Sequence, residues 1–269
     1  MPQQSKPLAA YIETLYRVYS NFWEEVVKLT GGLAKPISRD DLLIKVTSDE
    51  SHAEHLKVET KTAFWIEGLP GRRKIGASKQ SYDVVIGFEQ LLSVISENSV
   101  DSQFEAEKSV VRLMYLDCER ELNRRQQENG QEIVRHVYVG VHFDLLDQKR
   151  QTLDEYDHPV YHANFDMRCF DLSKLDRNSY RIPEGLQRID ALRIPTAPMD
   201  ISAVVFSVLR DHLPDKVDDG WSRKMRSRVD ALPRYPKGAL ANYTGNAVFP
   251  NCLCWYKTDG TRDNYHSAR

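Results

Sequence analysis

The sequence predicts an α+β fold: a mostly antiparallel sheet covered by helices, with an irregular basic arm at the C-terminal end. Three observations predict it. The stretches 137–145 and 160–167 alternate apolar and polar residues with period two, the stretches 8–29 and 201–213 repeat their apolar residues at helical spacing, and the composition shifts beyond Pro214. A chain of 269 residues, 41% hydrophobic and 28% charged, fits one large domain or a domain with a small appendage. The mean hydropathy of −0.54 belongs to a globular chain rather than a disordered or fibrous one. No stretch approaches the ~18 uninterrupted apolar residues of a spanning helix, and Met1–Pro7 is polar, so the expectation is a protein of the cytoplasm with no membrane partner.

The elements follow in order. Leu8, Ile12, Leu15, Tyr19, Phe22, Trp23 and Val26 lie on one side of a long amphipathic helix, which Gly31-Gly32 ends because glycine reaches a left-handed cap without a steric penalty. Its aromatic stripe, Tyr11, Tyr16, Tyr19, Phe22 and Trp23, is wide enough to serve the core and also another chain. Residues 57–66 read as a strand entering a tight turn at Gly68-Leu-Pro-Gly71, which makes a hairpin. Val84, Phe88, Leu91, Leu92 and Ile95 suggest a helix capped by Asp83, and residues 104–127 suggest a second helix that Asn129-Gly130 breaks. The two alternating stretches, 137–145 and 160–167, are strands. Asp200 is placed to cap a helix over 201–213, with Pro214 just past its end.

The domain boundary falls after Pro214. Residues 1–214 form the α+β core, its sheet built around 57–76 and 137–167 and its helices at 8–29, 104–127 and 201–213. Residues 215–269 hold ten Lys or Arg against six Asp or Glu, a net +4 that leaves −6 on the rest. Trp221, Met225 and Val229 mark one helix there, and the Pro and Gly residues from Pro233 to Pro250 argue for an extended arm.

Chemistry concentrates on the two central strands. If they pair antiparallel, His142, Asp144, His162, Asn164 and Asp166 share one face, because strand side chains alternate strictly. His158 lies in phase with them. Imidazole nitrogen and carboxylate oxygen are ligands for Zn²⁺ or Mn²⁺ and carriers of protons in general acid–base catalysis, so His142, Asp144, His162 and Asp166 are the candidate catalytic set. A solvated or partner-covered polar face is the plainer reading, since the zinc-type spacing is missing. Glu59-Thr-Lys61, with Asp49 or Glu50 upstream, has the acid and lysine spacing of metal-dependent nucleases, a spacing that a solvent-facing strand also produces by chance.

Arg223, Lys224, Arg226, Arg228, Arg234 and Lys237, interleaved with Trp221 and Tyr235, form a candidate nucleic-acid surface, and Arg72 and Arg73 at the expected hairpin tip form another. A charged helix face that meets an acidic protein accounts for the same residues. Cys252-Leu-Cys254 with His266 lacks the second pair of a convincing metal site, and all four cysteines read as thiols. No nucleophile elbow and no glycine-rich phosphate loop is present in the sequence.

The segments His158-Pro-Val-Tyr-His162 and Arg193-Ile-Pro-Thr-Ala-Pro-Met-Asp200 resemble uncharacterised bacterial families, over a minority of the chain. Such families look like accessory components of antiviral defence or mobile-element loci. The resemblance implies a subunit working beside a separate ATPase or nuclease and carries no catalytic residue with it.

Two functions are therefore expected from different classes. The first is a non-enzymatic accessory or scaffolding subunit of a bacterial complex, close to nucleic acid, needing no cofactor and partnered by other protein subunits encoded nearby. The second is a metal-dependent nuclease or phosphodiesterase that uses the His/Asp cluster with a divalent metal.

Overall fold

The computed structural model describes residues 7–48, 53–75, 78–94, 103–117, 128–130, 134–145, 161–166, 169–170, 179–181, 193–195, 199–217 and 219–233. After a short 3-10 turn at Leu8–Tyr11, helix α1 runs over Ile12–Thr30. It stops where the glycine pair predicts, with Gly31 in the left-handed region at φ 66° and its N–H bonded to the Lys28 carbonyl. The strands are β1 (Leu42–Ser48), β2 (Glu54–Thr60), β3 (Phe64–Ile75), β4 (Ser78–Val94), β5 (Phe104–Asp117), β6 (Val134–Leu145), β7 (Tyr161–Phe165), β8 (Ser179–Arg181) and β9 (Arg193–Pro195). Helices α2 (Ile201–His212) and α3 (Asp219–Ala231) follow. No helix among the described residues is long and apolar enough to cross a membrane.

The sheet runs β1-β2-β4-β5-β6-β7-β9, with β3 on β4 and β8 on β6, and every pairing but the β6–β8 one is antiparallel. Strand β4 is long enough that one of its edges is shared: Phe64–Ile75 takes the first half and Leu56–Glu59 the second. Where β2 leaves, the Thr60 hydroxyl accepts from the Phe88 N–H at 3.0 Å and donates to the Phe88 carbonyl at 3.3 Å.

Two expected helices are strands. Residues 84–95 fall largely in β4 and the first half of 104–127 is β5, with 118–127 outside the described residues. The physical reason lies in the spacing of four shared by Val84, Phe88 and Leu92, which is close to a helical turn and also a multiple of the strand period. Val84, Val85 and Ile86 are all fully buried, so β4 is a central strand covered on both faces, and β-branched residues fill it.

Asp83 does not cap a helix. Its carboxylate accepts the Gly68 N–H at 2.7 Å, and Gly68, at φ 64°, sits where the β3–β4 register shifts. The expected single strand over 57–66 is split at residues 61–63, where the Lys61 and Thr62 N–H groups bond to the Asp41 carbonyl, and Gly68–Gly71 lies within β3 instead of forming the hairpin turn. Arg72 and Arg73 are strand residues near the end of β3.

Helices α1, α2 and α3 pack on one face. Leu15, Tyr19, Phe22, Trp23 and Val26 of α1, Val204, Val205, Val208 and Leu209 of α2, and Trp221, Met225 and Val229 of α3 share a core with Phe64, Ile66, Val84, Ile86, Phe88 and Val111. Asp200 caps α2 as expected, its Oδ1 accepting the Ala203 N–H at 2.8 Å. The aromatic stripe of α1 is thus occupied by the protein's own sheet: Tyr19 stacks on Phe88 at 5.0 Å, and Trp23 packs on Phe64 at 4.6 Å while its Nε1 donates to the Lys35 carbonyl. Helix α3 lies beyond Pro214 in sequence yet shares this core, and the extended arm expected after it lies outside the described residues.

One polar chain crosses this interior. The Tyr19 hydroxyl donates to Gln90 Oε1, and Gln90 Nε2 donates to the Ser109 hydroxyl at 3.2 Å. Burial and the nearby Asp200 carboxylate hold the Tyr19 phenol well above its ordinary range.

Candidate functional site

The sheet face away from the helices carries a smaller apolar cluster of Trp65, Val85, Met114, Leu116, Val137 and Cys169, flanked by Ala63 and Phe170. Beside it runs a polar row. Gly87, Arg112, His142 and Asn164 are successive partners across β4, β5, β6 and β7, so their side-chain positions share this face. The β6–β7 pairing that brings His142 to Asn164 and Asp144 to His162 is the antiparallel one expected from the two alternating stretches.

His142 is held from both ring nitrogens. Nε2 lies 3.1 Å from Asp144 Oδ2 and Nδ1 lies 3.6 Å from Asp166 Oδ2, with all three side chains largely but incompletely buried. Asn164 Nδ2 is 3.0 Å from the same Nε2. A bare Nε2 accepts from the amide, whereas a protonated Nε2 donates to Asp144 and calls for the amide oxygen instead. Asn164 Oδ1 has no hydrogen-bond partner among the described residues, so it is available for that second arrangement.

The chain after β7 turns back over this face and completes the site. The Asp166 N–H bonds to the Gly140 carbonyl at 2.9 Å and the Cys169 N–H to the Asp166 carbonyl at 3.1 Å. Phe170 then lies close enough on β4 that a Cβ added at Gly87 would meet its Cε1 at 2.7 Å and Thr60 Oγ1 at 3.1 Å. Burial, with Asp166 adding and Arg112 opposing, pushes the Cys169 thiol up to about 12, which leaves it protonated and a poor nucleophile at neutral pH. An imidazole between two carboxylates can take or deliver a proton, and Arg112 supplies positive charge one strand away.

The structure brings together His142, Asp144, Asn164 and Asp166. The side chain of His162, and all of His158, lie outside the described residues. No group of three or more His, Cys, Asp or Glu among the described residues is disposed to hold a metal ion. Arg112, Gly87 and Phe170 were missed by sequence reasoning, because only strand register and the returning turn place them here. Glu59 is paired with Lys57 at 2.6 Å rather than with Lys61, and Lys57 also reaches Glu89 at 3.0 Å. Asp49, Glu50, Cys252, Cys254 and His266 lie outside the described residues.

The basic candidates divide cleanly on α3. Arg223, Lys224 and Arg226 are exposed and Arg228 half-buried, while Trp221, Met225 and Val229 point into the core. Trp221 is only 8% exposed and packs on Phe206 at 4.9 Å, so it cannot stack on a base as its sequence position suggests. Arg234, Tyr235 and Lys237 lie outside the described residues, and of Arg72 and Arg73 the structure fixes the backbone position in β3.

No family model, no curated protein and no solved structure matches the chain.

Proposed function

We propose that this chain is a non-enzymatic binding subunit of a larger bacterial assembly, working close to nucleic acid through the outer face of α3. One observation carries the reading. Helix α3 sends every large apolar side chain into the core and leaves Arg223, Lys224 and Arg226 together in solvent, a cationic surface that packing does not require. The reading draws further support from the resemblance of the 158–162 and 193–200 segments to accessory components of defence loci. One support is weakened, since Tyr11, Tyr19, Phe22 and Trp23 of the α1 stripe are buried in the core and only Tyr16 is half-buried.

The test is fluorescence anisotropy with a labelled oligonucleotide across a salt series, comparing the wild-type chain with the triple substitution Arg223→Glu, Lys224→Glu and Arg226→Glu. The expected result is weaker binding and a slope of log K against log salt that falls by about 0.7–0.9 for each phosphate that the variant no longer neutralises. Equal affinity and equal slope would overturn the reading.

A second reading rests on a specific observation, the clasp of His142 between Asp144 and Asp166. In it the chain is a phosphodiesterase or nuclease, with His142 as proton carrier, Asp144 and Asp166 as its orienting carboxylates, and His162 in register beside Asp144. His142, Asp144, His162 and Asp166 include the donor types a divalent metal takes. A fall in hydrolysis by about 10²–10⁴-fold in His142→Ala, with unchanged folding, is the outcome this reading requires.

A further inference from the structure

The aromatic residues that sequence reasoning left unused meet at the opposite end of the helix-bearing face. Tyr82 of β4 lies edge-on to Tyr115 of β5 at 6.0 Å and to Tyr138 of β6 at 5.6 Å, and His212 at the end of α2 packs on both Tyr82 (5.8 Å) and Tyr115 (5.6 Å). Three of the four are partly covered. Tyr138 is 40% exposed, one of two large apolar side chains so placed among the described residues.

Its position is not the one alternation would give it. Tyr115 pairs with Val139 and Leu116 with Val137, so Tyr138 is the extra residue of a β-bulge, and its ring comes to Tyr82 on the helix side of the sheet. Bulges bend a strand and re-aim a side chain, and this one fixes an exposed phenol ring against a packed aromatic base. His212 is itself pinned: Nδ1 lies 2.9 Å from the Pro70 carbonyl, which can only accept, so Nδ1 carries the proton there.

Pro70 connects this cluster to positive charge. Leu69 and Pro70 pair with Tyr82 and Ser81, and β3 runs on from Pro70 through Arg72, Arg73 and Lys74, with Lys74 in register with Lys79 of β4. Four cationic residues therefore occupy the hairpin that extends past Tyr82. On the other side, exposed Lys216 follows α2 before α3 begins. Acidic residues border the cluster as well: Asp117 of β5 is in register with Tyr82, Asp83 follows Tyr82 with its carboxylate bonded to the Gly68 N–H, and Asp211 is exposed on α2. Burial, with Asp211 adding to it, pushes the Tyr115 phenol up.

We propose that Tyr138, backed by Tyr82, is a stacking platform for a base of single-stranded nucleic acid whose phosphates run along the β3–β4 hairpin. The proposal rests on the nucleic-acid reading of α3 and sharpens it from charge recognition to a strand with unpaired bases. An exposed aromatic face beside cationic backbone positions suits a single strand, because stacking needs an unstacked base and the phosphates need only positive charge. A duplex hides its base faces and gains nothing from Tyr138.

The experiment uses the full chain with labelled oligothymidylate and with a duplex of the same length. Tyr138→Ala is expected to weaken single-strand binding by roughly five-fold or more with the salt slope unchanged, Tyr138→Phe to retain it, and the duplex to bind alike in all three. Replacing thymine by 5-bromouracil should give a photo-crosslink to the peptide holding Tyr138. Unchanged single-strand affinity in Tyr138→Ala, while the α3 triple substitution still weakens binding, would overturn the platform and leave the α3 reading standing. Absence of any oligonucleotide binding by the wild-type chain would remove both. An equal weakening in Tyr138→Ala and Tyr138→Phe would assign the effect to the hydroxyl and overturn stacking.

Discussion

The two faces of the sheet are built on different rules. The helix-covered face is an apolar interior crossed by a single hydrogen-bonded chain, Tyr19–Gln90–Ser109, whereas the other face joins a small apolar cluster to a row of ionisable groups around His142. The interior of the first face serves stability, and its margin, at Tyr138, reaches solvent. The second tolerates half-buried charge, which is costly unless paired, and the pairing of His142 with Asp144 and Asp166 supplies it. Stability and reactivity are thus divided across one sheet, and substitutions on the two sides should fail in different ways.

The strongest break is on the helix side. Trp23→Ala should lower the unfolding free energy by about 3–5 kcal/mol in a denaturant titration, since it empties a fully buried site and orphans the Lys35 carbonyl. Next comes the returning turn on the other face. Gly87→Ala should cost about 1–3 kcal/mol by driving a methyl group into Phe170, and in a Phe170→Ala background the same substitution should cost much less. A double-mutant cycle by urea unfolding measures that difference, and strict additivity would show that Phe170 does not press on Gly87.

The polar chain gives the helix side a pH signature that starts near pH 10, and the raised Cys169 thiol gives the other face one that starts near its ordinary value of 9. The folded chain raises the Tyr19 phenol above its ordinary value of 10, so the fold favours the protonated form. Its stabilisation is whole below about pH 10 and is lost as pH rises above that value toward the folded one. The urea midpoint should therefore fall between about pH 9 and pH 11, and fall less steeply in Tyr19→Phe. Tyr19→Phe should also cost about 1–3 kcal/mol at neutral pH, because Gln90 Oε1 loses its donor. The smallest stability effect belongs to the surface. The triple substitution on α3 should change the unfolding free energy by less than about 0.5 kcal/mol while altering nucleic-acid binding.

What the sequence discloses follows the same division. Strands β6 and β7 and helix α1 are legible because polar residues on one face mark the period, and α2, though nearly all buried, is legible from its Asp200 cap and the Pro214 stop. Strands β4 and β5 are not. The centre of β4 is buried on both sides, so no wet face marks its period and the spacing of four is equally compatible with a helix, while the charged residues of β5, Glu105, Glu107, Lys108 and Arg112, do not keep a strict alternation. The cluster of His142, Asp144 and Asp166 was legible from alternation on two strands and their pairing. Arg112 and Gly87 were not, since a partner two strands away in a sheet is set by register, which depends on bulges such as those near Leu91 and Tyr138. The Gly68–Asp83 bond likewise converts an apparent turn and an apparent cap into one strand irregularity.

The hydroxyl of Thr60 has a consequence for assembly. Where β2 and β3 divide the flank of β4 between them, the chain leaves a seam at which Phe88 would present a bare donor and acceptor to any passing strand. A single side chain meets both groups and closes that seam. Backbone annealing by a foreign strand is thereby denied a foothold in the middle of the longest strand, and the protein can carry a divided sheet edge without inviting its own aggregation there.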